Sequence, residues 1–554
     1  MSAEQQAALD ALYDLDNVVT VKITMPQSEW DATRTEEPAG GRCNFDWTDG
    51  SRYKWRKATT VEISGTKFPA QTTFTDVGIK KKSFCGSIDD RKPCLHVDFG
   101  KFTDANEGPI ENLIGSRYLT LNNSIQDPAF IRQPLGYRLL GMAGLPHSRC
   151  NFVRVFVNGR PVGEGMPGVN APGVYVNVEP IMKRYIERNF SGNMKGNLYE
   201  IEHNDDFVRA RLPFIATESL SEFENQADLK LAIDHVADHG ITGAADVFDL
   251  EQFIRVYAME FFLKHWDGYS NNTNNTYVYN DVAAVENPAV DNVKFKLIPW
   301  GIDQTLRTDH RFKLGDTGLV ARLVRNDPGR RAQLIEQIRT YRREIFGRET
   351  QQQTLKPLID QMETLLVNLG VPDIVSQIAV VRQQLRLAES AGYLCAGVPD
   401  NAEVYVLSEE GSACLHASNT ESIPAGTAAP LNFEVYHLPL RDDNDKSDLW
   451  LVNDLGSGKS FISQAFGRAL HASATLTTPQ GHNYLYTCPP SNTDHAEEFI
   501  VAPSASVPAD FAYSGYFRLV SVRTNLKATF GMDLTPAGRA RVHQEPVGSR
   551  VYFY

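Results

Sequence analysis

The 554-residue sequence has no excess of positive charge: 55 Lys and Arg face 68 Asp and Glu, a net charge of −13. A nucleic-acid binder normally shows a basic field, so that class is not expected. Local Lys and Arg residues can still serve an anionic ligand. No apolar run approaches 18 residues, which argues against a membrane-spanning helix. The opening stretch, MSAEQQAALDALYDLD, lacks the basic and apolar regions of a signal peptide. There are seven Cys, at 43, 85, 94, 150, 395, 414 and 488, and none forms a CxxC pair. A zinc ribbon is therefore not expected, and the odd count leaves at least one thiol free. Cys85 and Cys94 flank the polar loop GSIDDRKP and could close it as a disulfide; scattered thiols are the equal alternative.

Hydrophobic content of 42% is enough for a large core. The length fits about two to four domains. Residues 17–110 read as β-rich, because NVVTVKITM, TTVEISG, TTFTDVGIKKKSF and CLHVDFGKF alternate as strands do. Between 127 and 145 the pattern becomes helical. Asp127-Pro128 would supply the N-cap and first helical residue. Pro134 should delay or kink that helix. A hairpin follows, NFVRVFVNG with GVYVNVE. Residues 215–392 read mainly helical. Asp249 with Gln252 predicts a capping box before LEQFIRVYAMEFFLKHW. TLKPLIDQMETLLVNLG predicts another helix, stopped by Gly370.

Residues 388–402 read as a linker. Beyond it ACLHAS, RALHAS and, more loosely, NLKATF recur with Leu415, Leu470 and Leu526 spaced by 55 and 56 residues. Each is preceded by a strand (VYVL, SFIS, YFRL) and followed later by an aromatic one (LWLV, EFIV, VYFY). Three such repeats resemble a β-trefoil.

Three motifs read as decoys. GEGMPG at 163–168 lies in a hairpin connection, not between a strand and a helix as a dinucleotide site requires. NDLGSGKS has Asn453 where a P-loop needs its first Gly, and a strand follows. His235 and His239 are one helical turn apart but lack a third ligand.

HWDGYSNNTNNTYVYN, at 265–280, holds the chemistry. Asn and Asp oppose both helix and strand, so this is a loop between rigid elements. His265, Asp267 and Asn272 fit the H-x-D-x-x-x-x-N spacing of a kinase catalytic loop. Such a site needs one Asp to orient an attacking hydroxyl, an Asn carbonyl for a divalent metal, and a second Asp to complete the metal set. KFKLIPWGIDQTL offers Asp303 at the end of an apolar strand. Mg²⁺ prefers such hard oxygen ligands. The plain alternative is a helix terminator and a turn.

These residues belong to a longer pattern. VGIKKKSF, KPCLHVDFGKF, YLTLNNSIQDPAFIRQPLGYRLLGMAGLPHSRCNFVRVFVNG, GVYVNVEP, GNLYE, HWDGYSNNTNNTYVY and LIPWGIDQT occur in an order that resembles the CotH family of spore-coat and secreted atypical protein kinases. The resemblance covers residues from about 15 to 310. It implies a reduced kinase-like fold, ATP with Mg²⁺ or Mn²⁺, and phosphoryl transfer to protein hydroxyls. By position, Asp267 resembles the catalytic base, and Asn272 and Asp303 the metal ligands. Lys80 and Lys82 share one strand face and are the expected phosphate-contacting cations, with Glu179 as the carboxylate that would hold one of them. Many members read D-x-D where this chain has Gly301-Ile302-Asp303.

The expected fold class is α+β: a two-lobed, kinase-like domain over 15–392, followed by an all-β, trefoil-like domain over 400–554. The first would be β-rich to about 125 and mainly helical from about 215. The expected function is transfer of the ATP γ-phosphate to Ser or Thr of a protein. The alternatives are a catalytically idle surface or adhesion protein with a glycan-binding trefoil, and AMP transfer from the same site. The resemblance favours a secreted or cell-surface location.

Overall fold

The computed structural model describes residues 2–46, 51–68, 71–190, 194–218, 223, 225–423, 432–440, 446–491, 494–503, 506–507 and 511–554. The chain divides into two compact units. One holds residues 1–307, 315–334 and 353–381; the other holds 308–314, 335–352 and 382–554. The boundary expected at 392–400 thus falls inside the second unit.

In the first unit α1 (Ala3–Leu12), α2 (Gln27–Thr35) and α3 (Glu107–Ile114) accompany eight strands. These are β1 (Val19–Thr24), β2 (Arg56–Ser64), β3 (Thr72–Lys81), β4 (Leu95–Asp98), β5 (Tyr118–Asn122), β6 (Cys150–Val157), β7 (Arg160–Pro161) and β8 (Val174–Val178). Their order is β1-β2-β3-β4-β5-β8-β6-β7, and β1 also pairs in parallel with β6, so the sheet closes on itself. Alternation sends Val21, Ile63, Ile79, Val97 and Leu119 into one core, to which the helices add Leu9, Trp30 and Ile110. The opposite face of β3, β4 and β5 is polar. Sequence places GEGMPG in the β7–β8 connection, as expected.

α4 (Arg132–Met142) begins late, with Pro134 in its first turn. Its N-cap residue is Ile131, not the expected Asp127. Asp127 lies four residues earlier and instead braces the helix start, its carboxylate accepting from the backbone of Ala129 (3.1 Å) and Arg132 (2.8 Å) and pairing with the Arg132 guanidinium (2.7 Å). After α5 (Lys183–Asn189) comes a second sheet. It contains β9 (Leu198–Ile201), β10 (Ala216–Thr217), β11 (Thr276–Asn280) and β12 (Phe295–Pro299), in the order β10-β9-β11-β12. α6 (Ala227–Val247) and α7 (Leu250–Leu263) precede the β11–β12 hairpin, and α7 buries Phe253, Tyr257 and Phe261. Asp249 caps α7 through the Gln252 N–H at 3.0 Å. The Gln252 side chain does not return to the cap. It bonds both backbone groups of Leu297 (2.8 and 3.1 Å), so the expected capping box is only half formed and its other half ties α7 to β12.

The second unit includes a small sheet of β13 (Phe312–Lys313), β22 (Ser506–Val507) and β23 (Ala512–Tyr513). Its main strands are β14 (Ala402–Ser408), β15 (Cys414–Ser422), β16 (Phe433–Leu438), β17 (Leu449–Asp454), β18 (Lys459–Ser463), β19 (Ala469–Thr477), β20 (Asn483–Cys488), β21 (Phe499–Pro503), β24 (Phe517–Ser521), β25 (Lys527–Leu534), β26 (Ala540–Glu545) and β27 (Val551–Phe553). β14, β17, β18, β21, β24 and β27 pair in sequence, and β27 returns to β14, closing a barrel. Closure removes the free edges. The hairpins β15/β16, β19/β20 and β25/β26 meet through β16–β20, β20–β26 and β16–β26. A six-stranded barrel capped by three hairpins is a trefoil-like arrangement. Leu415 and Leu470 fill equivalent core positions, but the third equivalent is Ala528, not Leu526, as the pairings of Cys414, Ala469 and Lys527 fix it. NDLGSGKS forms the β17–β18 turn.

Cys85 is disulfide-bonded to Cys43 rather than Cys94, which is buried and free. Among the described residues no helix is long and apolar enough to cross a membrane.

Candidate active site

α7 ends at Lys264 in a left-handed conformation (φ 52°), which turns the chain sharply into the loop. Glu260, buried in α7, anchors the far side of that turn. Its carboxylate accepts from the backbone N–H groups of Tyr269 and Ser270, each at 3.0 Å. These are the first residues of α8 (Tyr269–Asn272), whose free N–H groups need acceptors. Burial raises the Glu260 pKa to about 7 against the opposing pull of Ser270 and the Tyr269 N–H.

Asp267 is held between three amides. Its Oδ1 accepts from Asn272 (2.6 Å) and Asn274 (3.0 Å), and its Oδ2 from Asn275 (2.7 Å). The Asn cluster is therefore a cradle that fixes one carboxylate. Asn272 spends its nitrogen on Asp267, which leaves its carbonyl oxygen as an acceptor. The Asn275 nitrogen also reaches the Gly301 carbonyl at 3.3 Å. Gly301 has φ +53°, and a Cβ there would meet the Asn275 amide oxygen at 2.3 Å. The Asn275 side chain thus fills the space next to Gly301, the position at which the sequence resemblance predicts the first Asp of D-x-D.

Asp303 follows in the short helical turn Ile302–Gln304, against which α4 packs; Ile302 lies under Gly136 of α4. Burial raises the Asp303 pKa to about 7. The charges of Asp127 and Asp267 add to the rise, while the amide of Asn122 opposes it from 3.4 Å. Asp127 and Asp267, from separate segments, are thus both within electrostatic reach of Asp303.

Asn122 belongs to the polar face of the first sheet. Lys80 stands opposite His96, and His96 opposite Thr120, two residues before Asn122 on the same face. Lys80 and Lys82 share this face: burial and then the Lys82 charge lower the Lys80 pKa. The Lys82 ammonium lies 4.9 Å from the centre of the Trp300 ring, just before Gly301. Lys81 points the other way and is buried, bonded to the carbonyls of Arg34 and Glu36 and to Asp90.

Glu179 does not hold either lysine. It is buried and bonded to Arg149 through both oxygens (3.1 and 2.8 Å) and to Arg188 (2.6 Å). Two guanidiniums match a carboxylate better than one ammonium, and both arise near the start of β6 and from α5. The acids whose charges act on Lys82 are Glu200 on β9 and Glu218.

Sequence reasoning missed Asn274, Asn275, Asn122, Asp127 and His96. The surplus of Asn after Asp267 was the available signal for the cradle. Asn122 and Asp127 are distant in sequence from Asp303 and gave none.

The residues fit a divalent cation and an anionic ligand. The half-buried Asp303 carboxylate, with a long hydrogen bond from Asn122 and two further acids nearby, favours a cation of hard character. On the facing sheet, the buried Nε2 of His96 has no hydrogen-bond partner among the described residues and lies beside two ammonium groups.

The CotH kinase protein family model matches residues 83–374, just over half of the chain, and the chain belongs to this family. Invasin CotH7 of Rhizopus delemar is 25% identical over 289 residues, 46% of this chain and 45% of that protein. The chain thus spans less than half of the length of that relative. Solved structures with partial matches include the designed three-fold symmetric protein ThreeFoil (15% identity, 27% of this chain, 96% of that one, TM-score 0.21). Others are the Arabidopsis thaliana SDF2-like protein (13%, 28% and 93%, TM-score 0.24) and the Macrolepiota procera ricin B-like lectin in complex with lactose (12%, 28% and 96%, TM-score 0.20). The trefoil-like architecture rests on the strand pairings above, not on these scores.

Proposed function

We propose that the first unit is a two-lobed, kinase-like catalyst that transfers the γ-phosphate of ATP to Ser or Thr hydroxyls of a protein. The observation that carries this reading is Asp267, fixed by three amides, within electrostatic reach of half-buried Asp303, which is bonded through Asn122 to the face that bears Lys80 and Lys82. Asp267 orients the acceptor hydroxyl and takes its proton. Asp303 and the Asn272 carbonyl would hold Mg²⁺ or Mn²⁺, which supplies charge neutralisation on the phosphates. Lys80 and Lys82 would meet the phosphates from the sheet side.

The test is transfer from γ-labelled ATP to the protein itself and to a general acceptor, with Mg²⁺ or Mn²⁺. Asp267→Ala should lose about 10² to 10⁴-fold in rate. Equal activity of the variant and the wild type sinks the assignment. Intact-mass spectrometry of the product separates phosphate from AMP addition.

A second reading is adhesion by an idle scaffold, with the trefoil-like unit binding a glycan. It is favoured by the naming of one relative as an invasin. Glycan-array binding of the full chain, with no metal-dependent nucleotide effect on its melting, would favour it.

A further inference from the structure

A second cluster of ligating side chains lies in the trefoil-like unit. His482 stands in the β19–β20 turn, Asp533 near the end of β25, and His543 on β26. One ligand atom from each lies within 4.8 Å of the other two. The hairpins that carry them are neighbours, because Tyr484 pairs with His543.

The hydrogen bonds fix which nitrogen faces inward. His543 Nε2 is 2.9 Å from Glu545 Oε1, so that nitrogen carries the proton and Nδ1 the lone pair. His543 Nδ1 is buried, lacks a hydrogen-bond partner among the described residues and lies 3.8 Å from Asp533 Oδ2. Buried polar atoms are seldom left this way, and such an atom asks for a ligand. His482 Nδ1 is 2.8 Å from the same Asp533 oxygen, and its Nε2 is 3.5 Å from Glu545. The chain keeps this room open: a Cβ on Gly531 would meet His543 Cε1 at 2.2 Å.

We propose that His482, Asp533 and His543 bind a zinc ion that staples the second and third cap hairpins of the trefoil-like unit. Zinc takes His nitrogen and carboxylate oxygen at about 2.0–2.2 Å, so tetrahedral ligand atoms lie roughly 3.3 Å apart. The two distances to Asp533, 2.8 and 3.8 Å, straddle that value. The two imidazoles stack with centroids 4.2 Å apart, so the more exposed His482 ring must turn to aim its lone pair at the ion. On binding, His482 releases to solvent the proton that its Nδ1 now donates to Asp533, holds its remaining proton on Nε2 and presents the Nδ1 lone pair. Both Nε2–H groups then face Glu545, the carboxylate–histidine–metal relay that orients such ligands. Water completes the fourth position.

The test uses the full chain without a polyhistidine tag. Zinc binding is measured by competition with a chromophoric chelator, and Co²⁺ replaces zinc for visible spectroscopy. The wild type should bind one equivalent with a tetrahedral Co²⁺ band, and chelation should lower its melting temperature. His482→Gln and Asp533→Asn, at partly exposed positions, should abolish the band. Glu545→Gln should keep it with affinity about 10–100-fold weaker. Asp303→Asn, in the other unit, should leave it unchanged. A wild type with no such band, or variants at 482 and 533 that bind as the wild type does, overturns the proposal.

Discussion

The amide nitrogen of Asn275 lies 2.7 Å from Asp267 Oδ2 and 3.3 Å from the Gly301 carbonyl, so one side chain joins the candidate base to the segment that delivers Asp303. This linkage has a kinetic consequence. Asn275→Ala frees one carboxylate oxygen and loosens both segments. A misplacement of about 1 Å costs on the order of 10²-fold in rate. The kcat for phosphoryl transfer should fall by about that factor while KM for the nucleotide changes little. A variant with unchanged kcat would show that the bridge is irrelevant to catalysis.

The lysines of β3 divide by role. Lys81 is buried, with bonds of 2.8 to 3.0 Å to Arg34, Glu36 and Asp90. Lys81→Ala strands those acceptors and should cost about 1–3 kcal/mol in urea unfolding. Lys82 is exposed and lies over Trp300. Lys82→Ala should shift stability by less than about 0.5 kcal/mol. It should instead raise the nucleotide KM about tenfold, the equivalent of about 1.4 kcal/mol of binding. The reverse pattern would move the phosphate contact to the wrong residue.

Glu179 makes the opposite prediction from the one its sequence position suggests. Burial acts to raise its pKa, but the bonds and charges of Arg149 and Arg188 outweigh it and hold the carboxyl below the usual Glu range. Its contribution to stability is therefore present above that range and is lost as pH falls through the depressed value. Removing one member of a buried ion pair costs about 3–5 kcal/mol. Glu179→Ala should unfold at correspondingly lower urea, while nucleotide affinity of the folded fraction is retained. A stable variant with weakened nucleotide binding would restore the lysine-partner reading.

These contrasts mark what the chain reveals in one dimension. Alternation showed which face of β3 holds Lys80 and Lys82, because a strand's period is two. The trefoil-like repeats were visible since each hairpin must return to the same core position, yet the third drifted by two residues because Ala528 replaces a Leu there. The Asp267 loop announced itself by composition. Glu179 misled because a buried acid takes the cation that tertiary packing brings, here two arginines from other elements. Asn122 and Asp127 were invisible for the same reason: their relation to Asp303 exists only once α4 packs on the turn at 302–304.

Asp303 links the site to pH. Its folded pKa of about 7 lies above the usual 3.8, so the folded chain binds this proton more tightly than the unfolded chain does. The resulting stability is fully present below about pH 4 and is eroded as pH rises through 7, where the half-buried carboxyl must ionise. Asp303→Asn cannot ionise. Without divalent metal it should melt above the wild type at pH 8, with the gap shrinking toward pH 5. Glu260, also near 7, is common to both proteins and cancels. With Mg²⁺ and nucleotide the order should reverse at pH 8, since the wild-type carboxylate then has a cation to bind and the amide does not. Thermal melts at both pH values, with and without ligand, read all four states. A gap independent of pH would mean that the carboxyl of Asp303 is already ionised near pH 5 and meets water rather than a buried cleft.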